Sequence, residues 1–104
     1  MVAVAYRVAC DLLRAVVAAD VRDAKLRDEA TRAAKSAALN TAEGAGRVTR
    51  ADKARAFATA RAECVEACAA VEIAILSGAA SPTSYAAVRT AARNLLRAKR
   101  GGCE

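Results

Sequence analysis

Histidine and tryptophan are absent from this chain of 104 residues, and proline and phenylalanine occur once each. Without histidine, the chain lacks the commonest general base of enzymes and the usual partner of a serine or cysteine nucleophile. Aromatic side chains make up 3% of the sequence, so few of them are available to stack on unpaired nucleic-acid bases. These absences argue against catalysis, and we expect a protein that is not an enzyme and needs no cofactor.

Four cysteines are present, but their spacing does not predict a metal site. Cys64 and Cys68 lie one helical turn apart, whereas a structural zinc ion needs four ligands and the other two cysteines are distant in sequence. We interpret the pair as buried thiols, because free cysteine packs as a small hydrophobic side chain. Carboxylate metal sites in helical bundles typically include histidine, so Glu63, Glu66 and Glu72 predict no metal site either.

No targeting or membrane segment is recognisable in the sequence. The apolar start is interrupted by Arg7, Asp11 and Arg14, so it does not fit a signal peptide. The longest uncharged run contains Gly78 and Pro82, so it does not fit a spanning helix. We therefore expect the chain in the cytoplasm, where thiols stay reduced, and we expect no membrane partner.

Alanine fills 31 positions, while leucine, isoleucine, valine and phenylalanine together fill 20. Alanine has the highest helix propensity, and the apolar residues recur at three- and four-residue intervals instead of alternating as in strands. Small side chains bury little area, so we expect a chain that is marginally stable alone and self-associates. We predict one all-α domain over residues 1–104, with helices at about 3–19, 24–43, 50–77 and 82–99.

Capping residues predict where the helices begin. Asp20 and Asp23 are candidate N-caps of the second helix, although one bent helix remains an alternative because no glycine or proline separates it from the first. Thr49 supplies a hydroxyl N-cap for the third helix, and Ser81 followed by proline opens the fourth. The predicted buried positions are Ala5, Val8, Leu12, Val16 and Ala19 in the first helix, Phe57, Ala60, Cys64, Cys68, Val71 and Ile75 in the third, and Tyr85, Val88, Ala92, Leu95 and Leu96 in the fourth.

The end of the second helix carries an unusual polar motif. We interpret Gly44 as the residue that ends the helix, since glycine adopts the left-handed conformation that other residues resist. Asn40 and Glu43 lie on one face of the last turn, where a carboxylate is close to the negative end of the helix dipole. We therefore expect both side chains to have partners outside this helix.

Two blocks of sequence carry a resemblance to a known family. The first is Arg32-Ala33-Ala34-Lys35-Ser36 with Asn40, Ala42-Glu43-Gly44 and Gly46-Arg47, and the second is Ala60-Arg61-Ala62-Glu63-Cys64-Val65-Glu66. They resemble the four-helix-bundle family first noticed as proteins encoded in intervening sequences of bacterial 23S ribosomal RNA genes. That family includes the accessory variability proteins of diversity-generating retroelements. The resemblance implies an up-down antiparallel four-helix bundle that assembles into a homopentameric barrel, with motif positions at Asn40, Glu43, Gly44, Gly46 and Glu66.

Positive charge is concentrated near the end of the chain. Arg89, Arg93 and Arg97 repeat every four residues, and like charges at this spacing destabilise a bare helix unless a polyanion neutralises them. The predicted phosphate-binding residues are Arg89, Arg93, Arg97, Lys99 and Arg100, with a second group of Arg47, Arg50 and Lys53. An incidental basic surface is the alternative, because the whole chain has a net charge of +6.

Two functional hypotheses follow. By resemblance to the retroelement members, the chain is a nucleic-acid-binding accessory protein that holds template RNA or its DNA copy and binds a reverse transcriptase. Contact through phosphates predicts weak sequence preference and a steep salt dependence. The alternative is a structural or protein-interaction scaffold encoded by an rRNA intervening sequence, with no nucleic-acid role.

Overall fold

Four helices and no strand make up residues 4–102, which a computed structural model describes, with side chains as far as Ala98. The helices are α1 (Val4–Ala18), α2 (Ala24–Gly46), α3 (Arg50–Leu76) and α4 (Pro82–Gly102). The prediction of an all-α bundle is confirmed. The predicted starts of α2, α3 and α4 agree with the structure, whereas α2 and α4 extend beyond their predicted ends.

The four helices form an antiparallel bundle in which each packs on its neighbours in sequence and α1 also packs on α4. The backbone N–H of Arg22 donates to the carbonyl oxygen of Ala79 at 2.7 Å. This bond joins the α1–α2 turn to the α3–α4 turn, so both turns lie at the same end and the chain runs up, down, up and down. The bundle measures 44 × 20 × 18 Å, and α3, at 1.5 Å per residue, spans about 40 Å of its length.

Local side-chain caps explain the helix starts. The carboxylate of Asp23 accepts from the N–H of Leu26 at 3.0 Å, and the Thr49 hydroxyl accepts from the N–H of Asp52 at 3.1 Å. Between α1 and α2, Asp20 adopts a positive φ of 50°, a conformation that aspartate tolerates better than most residues. A turn therefore separates the two helices, and the alternative of one bent helix is wrong.

Alanine dominates the core, which draws residues from all four helices. The largest side chains that are fully buried outside α2 are Leu12, Val21, Val71 and Val88. Most predicted core positions are buried, and Val8, Cys68, Ile75, Tyr85 and Leu96 are partly buried at its margin. Such small side chains let the helices approach closely, but each one removes little apolar area from water.

Gly44 does not end α2, so that prediction is wrong. The helix continues to Gly46, and its C-cap is Arg47, whose backbone is extended. Gly44 is buried inside the helix, and a Cβ atom built on it would lie 2.7 Å from a carbon of the Phe57 ring. The glycine is therefore required for the close approach of α3 to α2, and not for a left-handed turn.

Candidate nucleic-acid interface

A groove of about 410 Å³ lies between α3 and α4. Its lining combines three guanidinium groups with two apolar side chains: Arg61, Arg93, Arg97, Val65 and Leu96. Arg61 and Val65 are one turn apart on α3, and Arg93 and Arg97 are one turn apart on α4, so each pair shares a face of its helix. The antiparallel packing of α3 on α4 brings the two faces together.

The arginines of this groove are exposed and have no ion-pair partner. Within the part of the chain that the structure describes, no carboxylate oxygen lies within 4.0 Å of Arg61, Arg93 or Arg97. Four other surface arginines are ion-paired, namely Arg14, Arg32, Arg47 and Arg55. Exposed Arg7, Arg50 and Arg89 are not ion-paired within the described residues, so the groove is distinguished by bringing three unpaired arginines together. Three positive charges are therefore available to an external anion.

The structure places the other predicted residues of α4 differently. Arg89 is exposed but does not line the groove. It lies near the hydroxyl group of Tyr85, which also interacts electrostatically with Glu72. A hydrogen bond with Cys68, together with partial burial, raises the pKa of Tyr85 to about 12. The backbone of Lys99 and Arg100 continues α4, but their side chains lie outside the described residues.

Sequence reasoning missed Arg61 as a groove residue. The sequence did contain an indication: Arg61 and Arg97 lie at similar distances along the chain from the α3–α4 turn. In an antiparallel helical hairpin, residues equally distant from the turn lie side by side. Periodicity within one helix cannot show this, because the pairing is set by how the two helices fold back on each other.

In the second predicted basic group, one of the three charges is paired with a carboxylate. Arg47 pairs with Glu43 at 3.4 Å, and the ammonium group of Lys53 donates to the carbonyl oxygen of Gly44 at 3.5 Å. Among the three predicted residues, only Arg50 is without an ion pair or side-chain hydrogen bond in the described structure. This end of the bundle therefore presents mixed charge, and the groove between α3 and α4 is the stronger candidate for an anion.

The two sequence blocks meet at Arg32, which joins α2 to α3. Its guanidinium group contacts the carboxylates of Glu29 at 3.1 Å, Glu63 at 3.2 Å, and Glu66. Hydrogen bonds to Glu29 and Glu63 raise the pKa of Arg32. Arg32 belongs to the first block and both Glu63 and Glu66 to the second, so these motif residues link the helices.

The three carboxylates of this cluster respond differently to their surroundings. A hydrogen bond from Arg32 lowers the pKa of Glu29. Partial burial acts to raise the pKa of Glu63, but hydrogen bonds from Arg32 and Ser36 outweigh it and the pKa is lowered. A hydrogen bond with Glu29, and then desolvation, raise the pKa of Glu66. The cluster between α2 and α3 thus holds three acidic side chains around one basic one, whereas the groove between α3 and α4 is lined by arginines without acidic residues.

Asn40 has its partner inside α2, contrary to expectation, and Glu43 is paired with the C-cap residue that follows the helix. The side-chain amide of Asn40 donates to the backbone oxygen of Ser36 at 2.9 Å and to its hydroxyl at 3.2 Å. The carboxylate of Glu43 accepts from Arg47, one turn later. Gly46 has open space where a side chain would lie. Local hydrogen bonds thus account for the polar end of the helix.

The sequence model of the family described as 23S rRNA-intervening sequence protein matches residues 3–99. The chain belongs to this family. The match confirms the resemblance carried by the two blocks, and it extends over all four helices. The curated proteins and the solved structures give no significant match.

In this 23S rRNA-intervening sequence protein, Cys64 belongs to the core, as predicted, whereas Cys68 is partly buried at the margin of the core. Cys64 is fully buried, and its desolvation, together with the nearby Cys68, raises its pKa to about 11. Among the described residues, no group of three or more histidine, cysteine, aspartate or glutamate side chains could hold a metal ion. Residues 4–102 also include no helix long and apolar enough to cross a membrane.

Proposed function

We propose that this 23S rRNA-intervening sequence protein is a non-enzymatic, basic protein that binds RNA or DNA through phosphate contacts. The observation that supports this function is the groove of Arg61, Arg93 and Arg97, whose charges have no partner in the described structure. Phosphates neutralise such side chains and release condensed counterions. Guanidinium groups bind phosphate oxygens in a two-pronged geometry that lysine cannot match.

The finer form of the proposal follows the resemblance to retroelement accessory variability proteins. In that form, the protein acts in the cytoplasm, holds template RNA or its DNA copy, and binds a reverse transcriptase. The neighbouring genes provide a test. A reverse-transcriptase gene close to the gene of this protein, together with a template repeat and a variable repeat, would support this form. A position inside an rRNA gene would favour the scaffold described below.

We further propose that the protein is a homo-oligomer, with the pentamer implied by the family resemblance. Apolar side chains on the solvent-facing side of α3 support self-association: Ile73 and Leu76 are 51% and 80% exposed. The alanine-rich core also buries little area per residue, so contact with another copy would add stability. Light scattering at micromolar concentration tests this, and a monomer would contradict it.

A charge-substitution experiment tests the nucleic-acid function. In the variant, Arg61, Arg93 and Arg97 are each replaced by glutamine, and binding to a labelled 20-nucleotide RNA is measured by fluorescence anisotropy over a range of salt concentrations. Each lost phosphate contact reduces the salt slope by about 0.7 for a single strand. We therefore expect a slope smaller by about 2 and weaker binding at every salt concentration.

The matched control replaces three other exposed arginines, Arg7, Arg14 and Arg55, with glutamine. It removes the same charge from the chain, so it shows how much of the effect depends on net charge alone. We expect the control to bind RNA more tightly than the groove variant, with a larger salt slope. Equal losses in both variants would contradict a localised phosphate site.

The second candidate is a structural or protein-interaction scaffold without a nucleic-acid role. It is favoured by the use of Arg32, Glu63 and Glu66 to join α2 to α3, and by the exposed apolar side of α3. A scaffold would keep its oligomeric state and show no affinity for RNA or DNA even at low salt. The anisotropy experiment therefore separates the two functions.

A further inference from the structure

The groove between α3 and α4 is not lined by charge alone. Val65 is 55% exposed to solvent, and Leu96 is partly buried against the core; both share the groove with the arginines. A phosphate group gains nothing from apolar side chains, because it remains hydrated or bound to charged donors. These two residues fit a flat, less polar part of a ligand that also carries negative charge.

An unpaired nucleotide has both parts. Its base can lie on apolar side chains and on the plane of a guanidinium group, and its phosphates bind arginine. The groove volume of about 410 Å³ lies in the range of about 300–1,000 Å³ that is usual for sites of small organic ligands. In a duplex, by contrast, the flat faces of the bases are stacked on one another and cannot reach the groove.

The charges around α3 also disfavour a duplex. Glu63 and Glu66 lie on the flank of α3 that contacts Arg32 of α2, whereas Arg61 and Val65 lie at the same level on the flank facing α4. An α-helix with its side chains is about 10 Å wide, and the two backbones of B-DNA flank grooves about 6 and 12 Å wide. The second backbone of a bound duplex would therefore fall near these carboxylates.

We propose that this groove binds an unpaired base of single-stranded RNA or DNA on Val65 and Leu96, while the neighbouring arginines hold the flanking phosphates. The protein therefore prefers single strands to duplexes. This inference rests on the proposed nucleic-acid function and specifies the form of nucleic acid that the site takes. In this groove, arginine and aliphatic side chains provide the surface for the base that aromatic side chains usually provide, because the sequence has few aromatic residues.

The test compares one labelled 20-nucleotide sequence, made as DNA and as RNA, each alone and annealed to its complement, at one fixed salt concentration with the unmodified protein. Stacking of one base on an aromatic side chain corresponds to a roughly fivefold or larger effect on affinity. Contact with aliphatic side chains is weaker, so we expect the single strand to bind more tightly by up to about fivefold. Val65→Gln should remove most of this preference and leave duplex binding unchanged. Val65→Tyr, which offers a larger flat surface, should strengthen binding of the single strand.

The matched control is Val17→Gln, because Val17 on α1 is also a largely exposed valine, at 62%, and lies outside the groove. We expect this variant to bind both forms like the unmodified protein. Equal or tighter binding of the duplex, or a single-strand preference that Val65→Gln leaves intact, would overturn the inference while the phosphate-binding function stands. Binding of neither form at low salt would overturn the proposed function, and the inference with it.

Discussion

Replacing Gly44 with alanine places a methyl group against the ring of Phe57. An ideal Cβ at position 44 lies 2.7 Å from the ring atom Cε1 and 2.9 Å from Cδ1, closer than carbon atoms pack without repulsion. The ring is buried, with 7% of its residue surface exposed, so it cannot move freely into solvent. Either the ring or the whole of α3 has to shift.

Gly46 provides a matched comparison on the same helix. A Cβ there meets nothing within 4 Å, so Gly46→Ala tests the effect of alanine without a steric conflict. Exchange of glycine for alanine inside a helix stabilises by about 1 kcal/mol, whereas overpacking a core typically costs about 1–3 kcal/mol. Both substitutions share the helix gain, so we expect Gly46→Ala to be stabilising by about 1 kcal/mol, and Gly44→Ala to be less stable than it by the overpacking cost of about 1–3 kcal/mol.

The assay is thermal unfolding followed by far-ultraviolet circular dichroism. For a chain of this size, a difference of 1 kcal/mol corresponds to about 4 °C or more in melting temperature. All variants must be measured at the same protein concentration, because self-association changes the apparent stability. In a Phe57→Leu background, which removes the ring, we expect the difference between the two alanine variants to shrink.

Two outcomes would refute this reasoning. One is a melting temperature for Gly44→Ala that equals or exceeds that of Gly46→Ala. The other is a difference that is unchanged when Phe57 is replaced by leucine. Either would mean that contact with the Phe57 ring is not the reason for the glycine at position 44.

Two further predictions concern titratable groups. The pKa of Glu63 is lowered in the folded state, so its ionised carboxylate stabilises the fold above its ordinary pKa of 4.5, and this stabilisation is lost as the pH falls through the folded value. In chemical unfolding at pH 3 to 7, the free energy of unfolding should therefore fall less with acid for Glu63→Gln than for the unmodified protein. Equal losses of stability in the two proteins would contradict this prediction. Cys64, with a pKa raised to about 11, should resist alkylation by iodoacetamide at pH 8 in the folded protein and react after unfolding, as mass spectrometry of the peptides can show. Rapid alkylation of Cys64 in the folded state would contradict its burial.

Features that depend on neighbouring residues in the sequence could be predicted without the structure. The caps at Asp23 and Thr49 act over three residues, and the spacing of Arg93 and Arg97 places them on one face of a single helix. The pairing of Arg47 with Glu43 was also within reach, because a residue four positions earlier lies one turn away.

Features that depend on two helices meeting could not be predicted in this way. The role of Gly44 follows from Phe57 on the next helix, and the carboxylates around Arg32 are brought together by the alignment of α2 with α3. Arg61 joins the groove only because α3 folds back on α4. The sequence shows each partner but does not show the offset between the helices.

The hydrogen bond between the backbones of Arg22 and Ala79 makes the two ends of the elongated bundle, called poles here, structurally different. At one pole, the α1–α2 and α3–α4 turns are joined, and the side chain of Arg22 also donates to the carbonyl oxygen of Gly78 at 2.9 Å. At the other pole, Val48 in the α2–α3 connection is 92% exposed. Extra residues inserted beside Val48 would extend into solvent, whereas an insertion beside Arg22 would separate the two helical hairpins. Lengthening of the chain is therefore tolerated at one pole and disruptive at the other.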